Sequence, residues 1–303
     1  MRYVVTGAAG FIGSHLAEAL LEAGHDVLGI DCFTDYYDPA LKEENARAID
    51  VQRLDLAAGR LDFTRVDGVF HLAGQGGTRS FGSEFPLYLR RNVEASQRVF
   101  DAAARDGARV VFASSSSVYG DTETYPTPED AVPAPQSPYG ITKLAAEHVG
   151  HAYERAFGLD VVILRYFSVF GPRQRPDMAF ARIARALVED EPFDLYGDGA
   201  QARSWTYVSD AVAATVAAME RGSGTYNVGG AVEASLREAI ALFERLANRR
   251  IDVREQPAAA GDQRRTSADT TRIRSELGWE PRTSLEQGLR AQWEWAAARV
   301  AAR

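Results

Sequence analysis

The sequence predicts an α/β fold: a Rossmann-type, doubly wound parallel sheet with a smaller C-terminal substrate-binding α/β lobe. Three observations carry this expectation. The first half alternates short β-rich runs with amphipathic helical patterns, and the β-rich runs are almost unbroken in apolar residues. Strands that alternate with helices pair in parallel through crossovers, and strands without a polar face are buried on both sides. A third observation is the glycine-rich turn at Gly7, Gly10 and Gly13, placed between the first strand and the first helix.

Strands are expected over residues 3–6, 26–31, 51–55, 68–72, 109–113 and 160–166. Each is short, rich in Val, Ile, Phe or Leu, and bounded by glycine or polar residues. Helices are expected over 11–23, 86–105 and 138–157; in the first, Ile12, Leu16, Ala19, Leu20 and Ala23 repeat at helical spacing. After residue 167 the rhythm changes to loops rich in Gly, Pro and Arg, at 171–176 and 197–203, between helices at 179–190, 208–221, 235–248 and 284–300. We therefore expect residues 1–166 to form the dinucleotide-binding domain, with part of the later chain free to return to it. Residues 167–303 would be mainly a smaller lobe over the substrate.

Composition narrows the function classes. With 46% hydrophobic and 25% charged residues and no long apolar run, the chain reads as soluble, globular and without a membrane span. The first strand begins too near the N-terminus to leave room for a secretory signal, so we expect a cytoplasmic protein. Cys32 is the single cysteine and the five histidines are scattered, so no metal site is expected. A net charge of −8 without a basic patch argues against nucleic acid. Of 34 basic residues only Lys42 and Lys143 are lysine, which singles both out for a role that arginine does not fill.

The glycine turn has the spacing G-x-x-G-x-x-G. Glycines here allow a tight turn, close approach of backbone to a pyrophosphate, and close packing of helix on sheet, while the helix N-terminus favours negative charge. Asp31 ends the second strand, where a carboxylate binds the adenosine ribose hydroxyls and repels a 2′-phosphate, so NAD is preferred over NADP. Asp55 and Leu56 end the next strand and are candidates to flank the adenine.

Tyr139 and Lys143 lie four residues apart at the start of a helix, on one face. A cation there is expected to lower the phenol pKa so that Tyr139 exchanges a proton with a substrate hydroxyl. Ser114, Ser115, Ser116 and Ser117 leave a strand at the carboxyl edge of the sheet, where ligands bind in open α/β folds.

At this point the residues resemble a family, the extended short-chain dehydrogenase/reductases that include the nucleotide-sugar epimerases and dehydratases. The resemblance covers essentially the whole chain, through 6–13, 71–74, Asn92, 114–120, 137–143, 164–167, 203–210 and 226–229. It implies a catalytic triad of Ser115, Tyr139 and Lys143, with Lys143 also holding the nicotinamide ribose. It further implies an NAD site formed by Gly7, Gly10, Phe11, Ile12, Gly13, Asp31, Asp55, Leu56, Leu72, Ala73, Gly74, Gln75, Asn92, Ser114, Tyr139, Lys143 and Tyr166.

Within that family, hexose 4,6-dehydratases carry Asp-Glu before the residue matching Val118, and uronate decarboxylases carry a glutamate there; this chain has Ser116 and Ser117. Without a carboxylate to act at C5 or C6, 4-epimerisation through a transient 4-keto sugar is the expected chemistry, with hydride returned to C4. Segments 33–38, 75–80 and 171–179 resemble the UDP-glucuronate 4-epimerases. A uronate asks for an arginine fork and hydroxyl donors. Arg175, Ser168, Ser116 and Ser117 are the candidates, with Thr78 and Arg79 behind them, whereas Arg173 reads better as a structural ion pair. Ser115 and Tyr139 would also touch the sugar; Arg203 matches a diphosphate-binding arginine, and Gln201, Tyr196 and Arg265 complete the UDP-sugar site. An arginine usual just before a Gly-Asp pair is missing before Gly261-Asp262, and Arg264 or Arg265 would replace its charge. Epimerisation of UDP-glucose or a UDP-N-acetylhexosamine, decarboxylation of UDP-glucuronate, and a dinucleotide-sensing regulator remain open alternatives. A homodimer is expected from helices 86–105 and 138–157, which resemble the family's paired interface helices.

Overall fold

The central sheet is built from β1 (Arg2–Thr6), β2 (Asp26–Asp31), β3 (Val51–Arg53), β4 (Gly68–His71), β5 (Arg109–Ser115), β6 (Val161–Tyr166) and a later strand, Gly224–Val228. In this computed structural model, which describes residues 1–58, 60–77, 81–230, 232–258 and 263–301, all seven strands pair in parallel. The order across the sheet is Gly224–Val228, β6, β5, β4, β1, β2, β3. From β1 the chain runs outward through β2 and β3, then returns to β4 on the other side. The carboxyl ends of β1 and β4 therefore flank a crevice, the topological switch point where open α/β sheets bind ligands.

Successive strand residues face opposite layers, which explains the unbroken apolar runs. Val5, Val111, Val162 and Leu164 pack under helices Phe11–Glu22 and Val208–Arg221. Val4, Val110, Val161 and Ile163 pack with helices Ala95–Asp106 and Pro138–Phe157 on the other face. A third core, with Phe180, Ile183, Leu195, Phe243 and Leu289, joins helices Ala179–Glu189, Leu236–Ala247 and Leu285–Ala301 beside the carboxyl edge.

The helix expected over 86–105 is interrupted. It runs as Phe85–Tyr88, a wider π-helical turn at Leu89–Glu94, and Ala95–Asp106. Such turns are costly and concentrate at functional sites; this one carries Asn92 into the interior. The strand Gly224–Val228 and the short pairs Val253–Gln256 with Phe193–Tyr196, and Ala202–Ser204 with Glu233–Ser235 and Arg265–Thr266, have no counterpart among the expected strands. Their pairing partners are distant in sequence, so local pattern does not announce them. Among the described residues no helix is long and apolar enough to cross a membrane.

Candidate active site

A cavity of about 690 Å³ opens at the switch point and runs along the carboxyl edge of the sheet. At one end is the glycine turn. Gly7 has a φ of 73°, and a Cβ there would sit 2.9 Å from the Ala73 backbone beyond β4, while a Cβ on Gly13 would collide with the Gly7 carbonyl oxygen. The turn therefore closes only around glycine. No side chain caps the first helix at Gly10, and Phe11, Ile12 and Gly13 line the cavity, so amides at its start are left for an anionic ligand. Asp31 is held by the Phe33 N–H at 2.8 Å and the Ala9 N–H at 3.2 Å, and it lines the same end with Asp55 and Leu56. A glycine cradle at the switch point with a fixed carboxylate at the end of β2 fits a pyrophosphate and a ribose, so the residues present suit NAD.

The reactive groups line the same cavity. Lys143 is 3% exposed and donates to the Ala113 carbonyl at 2.8 Å; burial pushes its ammonium down to about 8, against the pull of Glu147. Ser115 Oγ accepts the Ser117 N–H at 3.1 Å, which closes the turn after β5 and aims the hydroxyl at Tyr139. Burial raises the Tyr139 phenol above its ordinary value, and Arg175 and the hydrogen bond with Ser115 oppose this. The expected acidification by Lys143 is thus corrected: desolvation dominates, and the cation that acts on the phenol is Arg175. The Lys143 ammonium is turned to Ala113, 6.0 Å from the Tyr139 ring centre.

Behind these groups lies a fully bonded polar layer. Asn92 Oδ1 accepts the Gln75 N–H at 2.6 Å, and its amide donates to the Gln75 carbonyl at 3.1 Å and Thr142 Oγ1 at 2.9 Å. Asn92 thus ties the loop after β4 to the helix carrying Tyr139 and stands behind the cavity wall rather than in it. Ser114 also lines the cavity, but its hydroxyl donates away from it, to the buried Glu147, which pairs with Arg165 at 2.7 Å. Tyr166 lines the cavity while its hydroxyl bonds Thr215 Oγ1 at 2.6 Å.

Arg175, Ser116, Ser117 and Ser168 line the cavity, as do Asp177 and Tyr36. Arg175 donates to both Asp177 oxygens, at 3.0 and 3.1 Å, and Tyr36 donates to the same carboxylate at 3.3 Å. Burial alone would raise the Asp177 carboxyl; the adjacent Arg175 charge more than reverses this and holds it below the usual range. Burial and Asp177 push Tyr36 up to about 12. A Cβ on Gly76 would strike Arg175 Nη1, so the loop after β4 needs glycine where the guanidinium passes. Arg173 instead pairs with Glu18 at 2.9 Å, tying the first helix to this loop.

The remaining candidates divide. Leu72, Ala73, Gly74, Gln75 and Arg203 line the cavity, and Arg203 donates to the carbonyls of Ala202 and Gln263. Gln201 and Tyr196 are bonded to each other at 3.0 Å outside the wall, and Tyr196 is reached from the cavity through Arg182, 5.7 Å from its ring centre. Arg265 lies outside the wall as well, on Glu233 at 2.8 Å; it is Gln263 and Thr266 from this segment that line the cavity. Thr78, Arg79 and the Gly261-Asp262 pair lie outside the described residues. Sequence reasoning gave no role to Tyr37, Arg91, Arg182 or Asp177. Lys42 had a signal in the scarcity of lysine: it is buried, bonded to Thr34 at 2.9 Å, and stands in the wall beside Asp31.

The model of the NAD dependent epimerase/dehydratase family matches residues 3–229. A Bacillus subtilis protein named as an uncharacterized UDP-glucose epimerase, YtcB, is 39% identical over 306 residues, spanning 95% of this chain and 96% of its own. The UDP-glucuronate 4-epimerase of Thermodesulfobacterium geofontis is 33% identical over 309 residues, 97% of this chain and 95% of its own. The structure of UDP-glucuronic acid 4-epimerase from Bacillus cereus, in complex with UDP-glucuronic acid and NAD, matches with a TM-score of 0.95 at 37% identity, covering 99% of this chain and all of that one.

Proposed function

Because the chain belongs to the NAD dependent epimerase/dehydratase family, we propose that it is a UDP-glucuronate 4-epimerase, interconverting UDP-glucuronate and UDP-galacturonate with NAD as cofactor. The observation that carries this is the sugar end of the cavity. Arg175 is near enough to Tyr139 for its charge to act on the phenol, the serines at 116, 117 and 168 line the same cavity, and positions 116 and 117 hold no carboxylate for elimination or decarboxylation.

The glycine turn and Asp31 would hold NAD, which when bound supplies a reversible hydride acceptor for C4 of the sugar. Tyr139 takes the O4 proton, and Ser115 holds that oxygen through its hydroxyl. Lys143 keeps a positive charge beneath them. Arg203 balances the diphosphate, and Arg175 with Ser116, Ser117 and Ser168 receives the C6 carboxylate, a group that an arginine fork matches in shape and charge. After the 4-keto sugar turns over, Tyr139 returns the proton to O4 as C4 takes the hydride back on its other face, which regenerates the cofactor in each cycle.

In this proposal residues 1–166 bind NAD, joined by Gly224–Val228, and 167–303 mainly bind the nucleotide sugar. We further propose a homodimer through the helices at 86–105 and 138–157, where Leu89, Ile141 and Phe157 are exposed, and a cytoplasmic location in keeping with a single cysteine. Light scattering that finds only monomer at micromolar concentration would reject the dimer.

Incubation with UDP-glucuronate and separation of products tests the activity: UDP-galacturonate is expected, without UDP-xylose or accumulated 4-keto sugar. A neutral UDP-hexose is the second reading, favoured by Asp177, which balances the Arg175 charge before any substrate arrives. Conversion of UDP-glucose with none of UDP-glucuronate would replace the first reading by the second.

A further inference from the structure

We propose that Glu147 is a positioning residue for this reaction: buried one helical turn beyond Lys143, it keeps that lysine charged, and through Ser114 it anchors the strand end that presents Ser115. The inference rests on the roles given above to Ser115 and Lys143.

The Glu147 carboxylate is 2% exposed. One oxygen accepts the Ser114 hydroxyl and the Arg165 Nε–H at 3.0 Å; the other accepts Arg165 Nη2 at 2.7 Å. Arg165 spends its remaining nitrogen on the Tyr119 hydroxyl and the Glu129 carbonyl, both at 2.9 Å. A buried ion pair of this kind is seldom more stable than apolar residues of the same volume, so stability alone is a weak reason for it. Its location supplies a better one.

Lys143 is as buried as Glu147 and lies four residues before it in helix Pro138–Phe157. Positions four apart share a helix face. Burial by itself favours the neutral amine. The charged and titratable groups around the lysine come from three elements. Glu147 and Tyr139 share its helix. His71 faces it from β4 and is neutral, because burial pushes the imidazole down to about 3. Arg165 on β6 stands behind Glu147. Phe112 and Ala113 of β5, and Asn92, are uncharged neighbours. Among these described groups Glu147 is the anion, and it is the group that holds the Lys143 pKa up against desolvation. The second function is mechanical: Ser114 and Ser115 are adjacent and point to opposite sides of the strand. Fastening Ser114 to Glu147 therefore fixes the direction of the Ser115 hydroxyl.

Two variants test this in the NAD-loaded protein. Glu147→Gln keeps an acceptor for Ser114 and removes only the charge; Glu147→Gln/Arg165→Gln also removes the partner charge, so the buried layer stays neutral and folded. With two lysines in the chain, isotope labelling of lysine followed by NMR gives two side-chain signals, assigned with Lys42→Arg. The Lys143 titration midpoint is expected to fall by about one pH unit in Glu147→Gln and by less in the double variant. The alkaline limb of kcat/KM for UDP-glucuronate should move with it, giving about a tenfold loss above that limb and little change near pH 6.5. A folded variant that retains NAD and titrates as the wild type would reduce Glu147 to a structural ion pair. If wild-type protein converts no UDP-sugar, the proposed function fails, while the lysine titration still decides the role of Glu147.

Discussion

The guanidinium of Arg175 meets Asp177 side-on, with Nε 3.0 Å from one carboxylate oxygen and Nη2 3.1 Å from the other. With Nε and Nη2 engaged along that edge, Nη1, which passes Gly76, is the nitrogen that the proposed function assigns to a second planar anion. Replacing Arg175 by alanine should therefore cost a uronate about two charge-assisted hydrogen bonds, on the order of 3 kcal/mol, or more than a hundredfold in kcat/KM. UDP-glucose, with no carboxylate, should lose much less. Steady-state kinetics on both sugars read the ratio; an equal loss on the two would remove Arg175 from carboxylate recognition.

Gly13→Ala tests the cofactor cradle. The added Cβ would run into the Gly7 carbonyl oxygen, and backbone cannot swing aside as a flexible side chain does. The turn must open, which displaces the amides at the start of the first helix. We expect at least a tenfold drop in NAD carried through purification, measured by release on denaturation, with secondary structure retained by circular dichroism. Full occupancy in this variant would show that the phosphates are held elsewhere.

His71 predicts a pH dependence of stability. Its ring is fully buried between Thr6 Oγ1 at 2.7 Å and Ser96 Oγ at 2.9 Å, and burial, with a smaller effect from Lys143, pushes it down to about 3. Between that value and about 6.5 the unfolded chain binds a proton that the folded chain refuses. The contribution is therefore complete above pH 6.5 and is lost as pH falls toward 3, with a slope of up to about 1.4 kcal/mol per pH unit. Urea unfolding between pH 7 and 5 should show this slope in the wild type and a flatter one in His71→Gln; equal slopes would mean that His71 is not the titrating group.

Much of the fold was legible because its causes are local. The apolar strands, the glycine turn and Asp31 are each constrained within a few residues. Gly224–Val228 was not legible, since it is a strand only by virtue of Val162 to Tyr166, about 60 residues earlier, as its parallel partners. The serine run illustrates the same limit at the site. Four consecutive hydroxyls read alike in sequence, yet Ser114 turns to Glu147 while Ser115 turns to Ser117 and Tyr139, a distinction set by strand alternation and by what each face meets. Tyr36 and Asp177 lie in two segments that the sequence singled out, but their contact across 141 residues is made only by the fold, and no spacing announces it. The acidifying role assigned to Lys143 went wrong for an electrostatic reason: sequence separation shows that two groups share a face, but not how far each is desolvated.

Asn92 joins these two scales, because its side chain sits in the π-helical turn and bonds both the loop after β4 and Thr142, three residues beyond Tyr139. Asn92→Ala would leave the Gln75 amide without its acceptor and the Gln75 carbonyl and Thr142 short of a donor, in a region closed to water. Buried polar groups stripped of partners cost about 1–3 kcal/mol each, so a loss on the order of 2–4 kcal/mol in unfolding free energy is expected. Because Gln75 and Tyr139 both line the cavity, activity should fall further than stability explains, even at temperatures where the variant is fully folded. Denaturant unfolding and kcat measured on the same preparation separate the two effects. A variant that loses stability but keeps wild-type kcat would make Asn92 a structural strut with no influence on where Tyr139 stands.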